Sequence, residues 1–229
     1  TLPTGKSIRS ANLVPDEIEP TAIDNYQPQW LVGLDAQLET LPLGLSPSAA
    51  PALENTTIGK VIELGERLSI IGDYAPDKLG LAMHAVIACY INGNDNKNGT
   101  IARILVEHGM QDTISASVAI ESAERLIKAI ETHFSPILYA TELPIRYQNI
   151  HGQLLNGWID LLVETRNGYI IIDHKASPRA RSDWEEVALS YSGQLAAYAK
   201  AVSRSTAKPV AGCWVHFGVT GGLVEVHTG

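Results

Sequence analysis

Gly157-Trp-Ile-Asp160 and Tyr169-Ile-Ile-Ile-Asp173-His-Lys175 hold the residues of this chain best suited to chemistry. An acid closes one apolar run. A second acid, with a lysine two residues on, closes the next. Hydrophobic strands seldom end in three polar groups unless those groups bind something. Two converging carboxylates can hold a hard divalent cation such as Mg²⁺ or Mn²⁺. A lysine beside them can position or deprotonate a water, or stabilise charge on phosphoryl oxygens. Together these groups suit metal-dependent hydrolysis of a phosphodiester. A lone aspartate at a strand end more often caps a turn or pairs with arginine, and a lone lysine there is often solvated. Asp160, Asp173 and Lys175 at this spacing favour the metal site.

Other residues can be weighed against that site. His174 alternates to the opposite face of its strand, which makes its side chain structural or exposed, though its backbone carbonyl could reach a metal. His84 stands on an otherwise apolar helix. Alone it reads as a satisfied core residue; beside a carboxylate site it becomes a candidate nitrogen ligand. Gly80, one turn earlier, would let the helix backbone come close. Glu142 in Thr141-Glu-Leu-Pro144 either assists the metal site or holds a basic side chain. Tyr191, Gln194 and Tyr198 share a helix face at i, i+3 and i+7 and can hydrogen-bond a phosphate or a catalytic group. Arg179 and Arg181, with Lys175, form the best local basic patch for DNA.

The elements that must position these residues follow from periodicity and breakers. Residues 1–56 are punctuated by Pro15, Pro20, Pro28, Pro42, Pro47 and Pro51. They are expected to be an irregular N-terminal extension or linker with short helical pieces, one over 26–39. Residues 57–72 read as helical. Pro76-Asp77 starts a second helix, over 77–91, apolar nearly all round and so buried. A polar loop (92–99) and a short helix (101–108) come next, with Gly109 at its C-terminus. An amphipathic helix is expected over 115–133, ended by Pro136. Strands follow at 138–147, 153–164 and 169–174, joined by turns at 149–152 and 166–168. A helix over 183–203 and strands at 210–218 and 222–227 complete the chain. This order describes an α/β domain over 57–229, with a mixed central sheet flanked by helices.

Composition narrows the function further. Hydrophobic residues make up 45% and charged residues 18% of 229, enough apolar surface for a packed core and too little charge for wholesale disorder. The apolar run from Leu79 to Ile91 is shorter than the roughly 20 residues a membrane span needs. No signal peptide is visible. No methionine opens the chain, so it reads as a fragment of something larger. Cys89 and Cys213 are too few for a four-cysteine iron–sulfur cluster and read as core thiols of a reducing, cytoplasmic compartment. The net charge of −8 opposes coating of nucleic acid by charge alone, so DNA binding must use a local basic patch, bound metal or a delivering partner.

The order Leu79-Gly80-x-x-x-His84, Glu142-x-Pro144, Gly157-x-Ile159-Asp160, Ile172-Asp173-x-Lys175 and Tyr191-x-x-Gln194-Leu195-x-x-Tyr198-Ala199 resembles the RecB/AddA-type nuclease domain of the PD-(D/E)XK superfamily. The likeness covers roughly residues 79–200 and implies a restriction-endonuclease-like core. It implies that His84, Asp160 and Asp173 ligate Mg²⁺ or Mn²⁺, with the His174 carbonyl as an addition. Lys175 would be the catalytic lysine. Gln194 and Tyr198 would support catalysis or contact DNA. Such domains are fused to the C-terminus of UvrD/Rep-like helicases that process double-strand breaks for repair and recombination. The chain has no Gly-x-x-x-x-Gly-Lys-Ser/Thr, so ATP use would belong to an associated helicase motor. The alternative from a different class is a module that binds DNA or a partner without cutting.

Overall fold

The computed structural model describes residues 43–93, 97–148 and 152–228. In chain order the elements are β1 (Gly44–Leu45), β2 (Thr57–Glu63), α1 (Pro76–Asn92), α2 (Lys97–Glu107), α3 (Ala116–Phe134), β3 (Leu138–Gln148), β4 (Leu154–Thr165), β5 (Gly168–Lys175), α4 (Trp184–Ser190), α5 (Ser192–Ser205), β6 (Val210–Phe217) and β7 (Gly222–His227). The seven strands form one mixed sheet in the order β1-β4-β5-β6-β7-β2, with β3 also paired to β4. The expected α/β fold with a mixed central sheet is observed. No described helix is long and apolar enough to cross a membrane.

β4 organises the sheet because it is long. β3 pairs antiparallel with its whole length, from Leu138↔Glu164 to Gln148↔Leu154. On its other edge β5 covers only Leu161 to Thr165, and β1 covers Leu154 and Leu155. β5 and β6 run parallel through the centre. Both faces of these strands are covered, so they read as nearly continuous apolar runs. One face packs Leu161, Val163, Ile170 and Ile172 against Ile87 of α1 and Leu126 and Ile130 of α3. The other packs Ile159, Ile171 and Val215 against Leu195 and Val202 of α5. α1 is wedged among α2, α3 and the sheet, as its apolar circumference requires.

Two expected elements are corrected. Residues 57–63 form a strand, not the start of a helix. Ile58, Val61 and Ile62 have helix-like spacing, but the register shifts between Ile58 and Val61 against β7. That bulge puts Ile58 and Val61 on one face at an interval of three, which mimics helical periodicity. The helix expected over 183–203 is two helices broken at Tyr191, within Ser190-Tyr-Ser-Gly193, a run of weak helix formers. The helix expected over 26–39 lies outside the described residues, as do parts of the loop (94–96) and of the turn (149–151).

Residues 43–56 lie against the same sheet and α5. Pro47 is buried over Gly157, and the Leu53 N–H donates to Ser192 Oγ at 2.9 Å. Gly193 lets the segment approach α5: a Cβ there would overlap the Pro51 carbonyl oxygen. Helix propensity alone would make Gly193→Ala stabilising by about 1 kcal/mol. Overlap with backbone costs about 1–3 kcal/mol and wins. Gly193→Ala is therefore expected to lower the thermal midpoint and expose residues 43–56 to limited proteolysis; a raised midpoint would contradict this packing.

Candidate active site

The site is built where β4 and β5 part. Their ladder ends at Leu161↔Ile172. One residue further on, the carboxylate of Asp160 takes the place of a backbone acceptor: its Oδ2 accepts the His174 N–H at 2.7 Å. The side-chain alternation of β4 slips at the same point. Leu161 and Val163 face α1 and α3, whereas Ile159 packs with Leu162 on the α5 side. β3 slips alongside, since Ala140 packs on the α5 side with Leu143 and Ile145. Glu142, opposite the slip, has φ 49°, a left-handed conformation that costs a residue with a Cβ about 1–3 kcal/mol. The kink delivers both acids to α1.

His84 of α1 meets them. Its Nδ1 lies 3.5 Å from Asp160 Oδ1 and 3.6 Å from Glu142 Oε1. Ligand atoms of His84, Glu142 and Asp160 all fall within 4.8 Å of one another. The other ring nitrogen, Nε2, is 3.1 Å from the His174 carbonyl oxygen. With Nε2–H donating to that carbonyl, the ring is fixed and Nδ1 is presented to the carboxylates. Gly80 lines the cleft, but a Cβ there would make only an ordinary 3.9 Å contact with Ala176, so close approach is not what it serves.

Asp173 adjoins this trio from the α5 side and is 1% exposed. Gln194 donates to its Oδ1 at 2.7 Å and also to the Tyr198 hydroxyl oxygen at 3.2 Å. Lys175 Nζ stands 2.7 Å from Oδ2. The Lys175 ammonium is thus the partner of the buried Oδ2. Lys175 also sits over the Tyr191 ring, 4.2 Å from its centroid. Tyr191, although at the helix break, still lines the cleft with Gln194 and Arg179. The cleft holds about 680 Å³. Tyr198 is buried beneath Gln194. Arg181 is turned away and pairs with Glu63 at 2.6 Å.

Of the two readings of the His174 side chain, the structural one holds: it lies on the opposite face and is buried. Its Nδ1 is 3.2 Å from Nδ1 of His216, and its ring meets those of His84 and His216 edge-on. Burial holds the His174 imidazole well below its usual range and pushes His216 down to about 3, so both are neutral. His216 went unnoticed in the sequence; its signal was a lone imidazole inside the apolar run Cys213-Trp-Val-His-Phe217.

Electrostatics show what the site lacks. Burial, then the Asp173 carboxylate, pushes Asp160 up to about 7. Burial also raises Asp173, against the pull of Lys175. For His84, burial works downward, but Glu142 and Asp160 outweigh it and the imidazole is raised. For Lys175 burial again works downward, Asp173 outweighs it, and the ammonium is held. Both acids are thus pushed toward the neutral form for want of positive charge. The carboxylates of Asp160, Asp173 and Glu142 with the one imidazole of His84 fit a divalent cation.

The sign of the pH effect follows. Folded Asp160 keeps its proton up to about pH 7, while the unfolded chain releases it near 3.8. Across that window the folded state binds more protons, so this residue's contribution to stability is full below it and is lost as pH rises through it. Metal-free wild type is expected to lose thermal stability relative to Asp160→Asn over this window. Mn²⁺ is expected to raise the midpoint more at about pH 8 than at about pH 5, because protons compete with the cation. A midpoint difference independent of pH would contradict the raised value.

Comparison with known proteins bears on the same residues. A family profile described as the PD-(D/E)XK nuclease superfamily matches residues 57–225. The matched span contains every side chain from His84 to Tyr198 described above. No curated protein matches the chain. On the profile match, the chain belongs to the PD-(D/E)XK nuclease superfamily, whose nucleases use divalent metal ions.

Proposed function

We propose that this domain is a Mg²⁺- or Mn²⁺-dependent deoxyribonuclease. The observation that carries the reading is the pair of buried Asp173 and largely buried Asp160, short of positive charge, with His84 and Glu142 on one side and Lys175 on the other. His84, Asp160 and Asp173 would hold the ion. Glu142 is near enough to join them or to orient a water between. The His174 carbonyl, beside His84 Nε2, would fix the imidazole or add an oxygen. A bound divalent ion supplies Lewis acidity toward a phosphoryl oxygen and lowers the pKa of its water.

The chain's own groups do the rest. Lys175 is held as an ammonium, which suits it to donate to a phosphoryl oxygen or to position the water, not to remove its proton. Gln194 pins Asp173 in place, and Tyr198 supports Gln194 from below. Arg179 and Tyr191 at the cleft wall would meet the DNA backbone. Arg181, engaged with Glu63, would first have to be released to do so. Attack of water on phosphorus in line with the P–O3′ bond forms the new P–O bond and breaks the old one. The products are a 5′-phosphate and a 3′-hydroxyl, the latter taking up a proton. The motif order that resembles RecB/AddA-type domains supports a place in a helicase–nuclease for double-strand-break repair, with the motor on another segment or subunit.

Cleavage of linear and single-stranded DNA with Mn²⁺ tests the reading. Asp173→Asn is expected to abolish cleavage and weaken Mn²⁺ binding by calorimetry. Lys175→Ala is expected to retain Mn²⁺ and lose about 10²–10³-fold in rate. Equal rates in wild type and both variants would sink the assignment. Wild type that binds Mn²⁺ and DNA yet leaves both substrates intact would favour the non-cleaving module.

A further inference from the structure

Beyond the site, β3 and β4 continue as an arm, joined at its far end by β1, and one face of that arm is open among the described residues. Ile159 is buried toward α5, and a Cβ at Gly157 would meet Pro47 and Tyr198 on that same side. Trp158 and Asn156 therefore face the other way, toward the side from which His84 reaches Asp160. On β3, Leu143 and Ile145 likewise pack toward α5, which leaves Pro144, Arg146 and Gln148 on the open face. All five of these residues are exposed. Pro144 is paired with Trp158 and Arg146 with Asn156, so Arg146 is the diagonal neighbour of the indole. Trp158 is 59% exposed, whereas Trp184 and Trp214 are each 3% exposed.

We propose that this face, centred on Trp158, is a subsite for an unstacked base of the DNA strand being cut, with Arg146 taking the adjoining phosphate. The proposal rests on the nuclease reading and adds a substrate form to it. Three observations select this occupant. The face runs straight into the site, since Trp158 precedes Asp160 by two residues, about 7 Å along a strand. Its chemistry is an aromatic plane among a guanidinium and amides, the combination that holds single strands by stacking and phosphate contact. In a chain of net charge −8, Arg146 is a cation with no ion-pair partner among the described residues. A base paired inside a duplex has no free face to offer an indole, so the bound strand must be unpaired here.

Fluorescence titration of the full chain with oligothymidylate and with blunt duplex, in EDTA so that nothing is cut, tests the subsite. Single strands are expected to quench tryptophan emission, with most of the quench lost in Trp158→Phe. Trp158→Ala is expected to bind the single strand about tenfold more weakly, Trp158→Phe to recover much of that loss, and Arg146→Ala to flatten the salt dependence. Mn²⁺ affinity by calorimetry, unchanged in each variant, confirms an intact fold. Unchanged single-strand affinity in Trp158→Ala, an equal loss for duplex, or tighter binding of RNA than DNA would overturn the proposal. Because binding is read without catalysis, a wild type that stacks DNA on Trp158 but never cuts it would refute the nuclease reading and leave the subsite standing.

Discussion

Asp160 and Asp173 are two carboxylates set side by side where β4 and β5 part, Asp173 buried and Asp160 largely so, and the neighbouring structure is arranged around the charge they need. Neither can ionise freely: burial raises both, and the Asp173 carboxylate raises Asp160 further. Lys175 relieves Asp173 from one side. His84 relieves Asp160 from the other. The remaining deficit of positive charge is what a divalent cation would fill. A pair of this kind is poor material for stability, since buried like charges are destabilising without compensation. Its position, at the mouth of a cleft, is that of a functional site.

The backbone is distorted to create that pair. A regular antiparallel ladder would carry β4 past β5 and spend both strands' polar groups on each other. Here Asp160 accepts the His174 N–H through its side chain, and the strands separate. Glu142 absorbs the slip with a left-handed φ on the neighbouring strand. The parting leaves room for α1 to insert His84, and it leaves the far half of β3–β4 as an arm beyond the site. Beneath, the edge-to-face His84–His174–His216 cluster and the Asp173–Gln194–Tyr198 chain tie the site to both helical layers. Each layer therefore holds one side of the carboxylate pair.

Residues 169–175 were legible in the sequence because an unbroken apolar run ending in Asp-x-Lys has few other uses. The convergence of Asp160 with Asp173 followed from a short turn between two strands. His84 is different: nothing local distinguishes a ligand from a core histidine on an apolar helix, and only the order of motifs singled it out. Glu142 could not be assigned because its orientation depends on a backbone angle that glutamate seldom adopts. β2 was misread because a bulge gave a strand the spacing of a helix. The break at Tyr191 was hidden by good helix formers on both sides. Residues 43–56 look like a linker by their prolines, yet Pro47 and Pro51 pack where Gly157 and Gly193 leave space. His216 was overlooked because its partner, His174, lies 42 residues away in sequence.

The central claim is that a divalent cation supplies the positive charge that Asp160 and Asp173 lack. The most direct measurement is a crystal structure with Mn²⁺, the ion located by anomalous scattering. The account places one ion within about 2.0–2.6 Å of His84, Asp160 and Asp173. Lys175 should remain beside it, outside the coordination sphere. An ion bound elsewhere, or Lys175 Nζ holding the centre of the cluster with no ion present at saturating Mn²⁺, would contradict it.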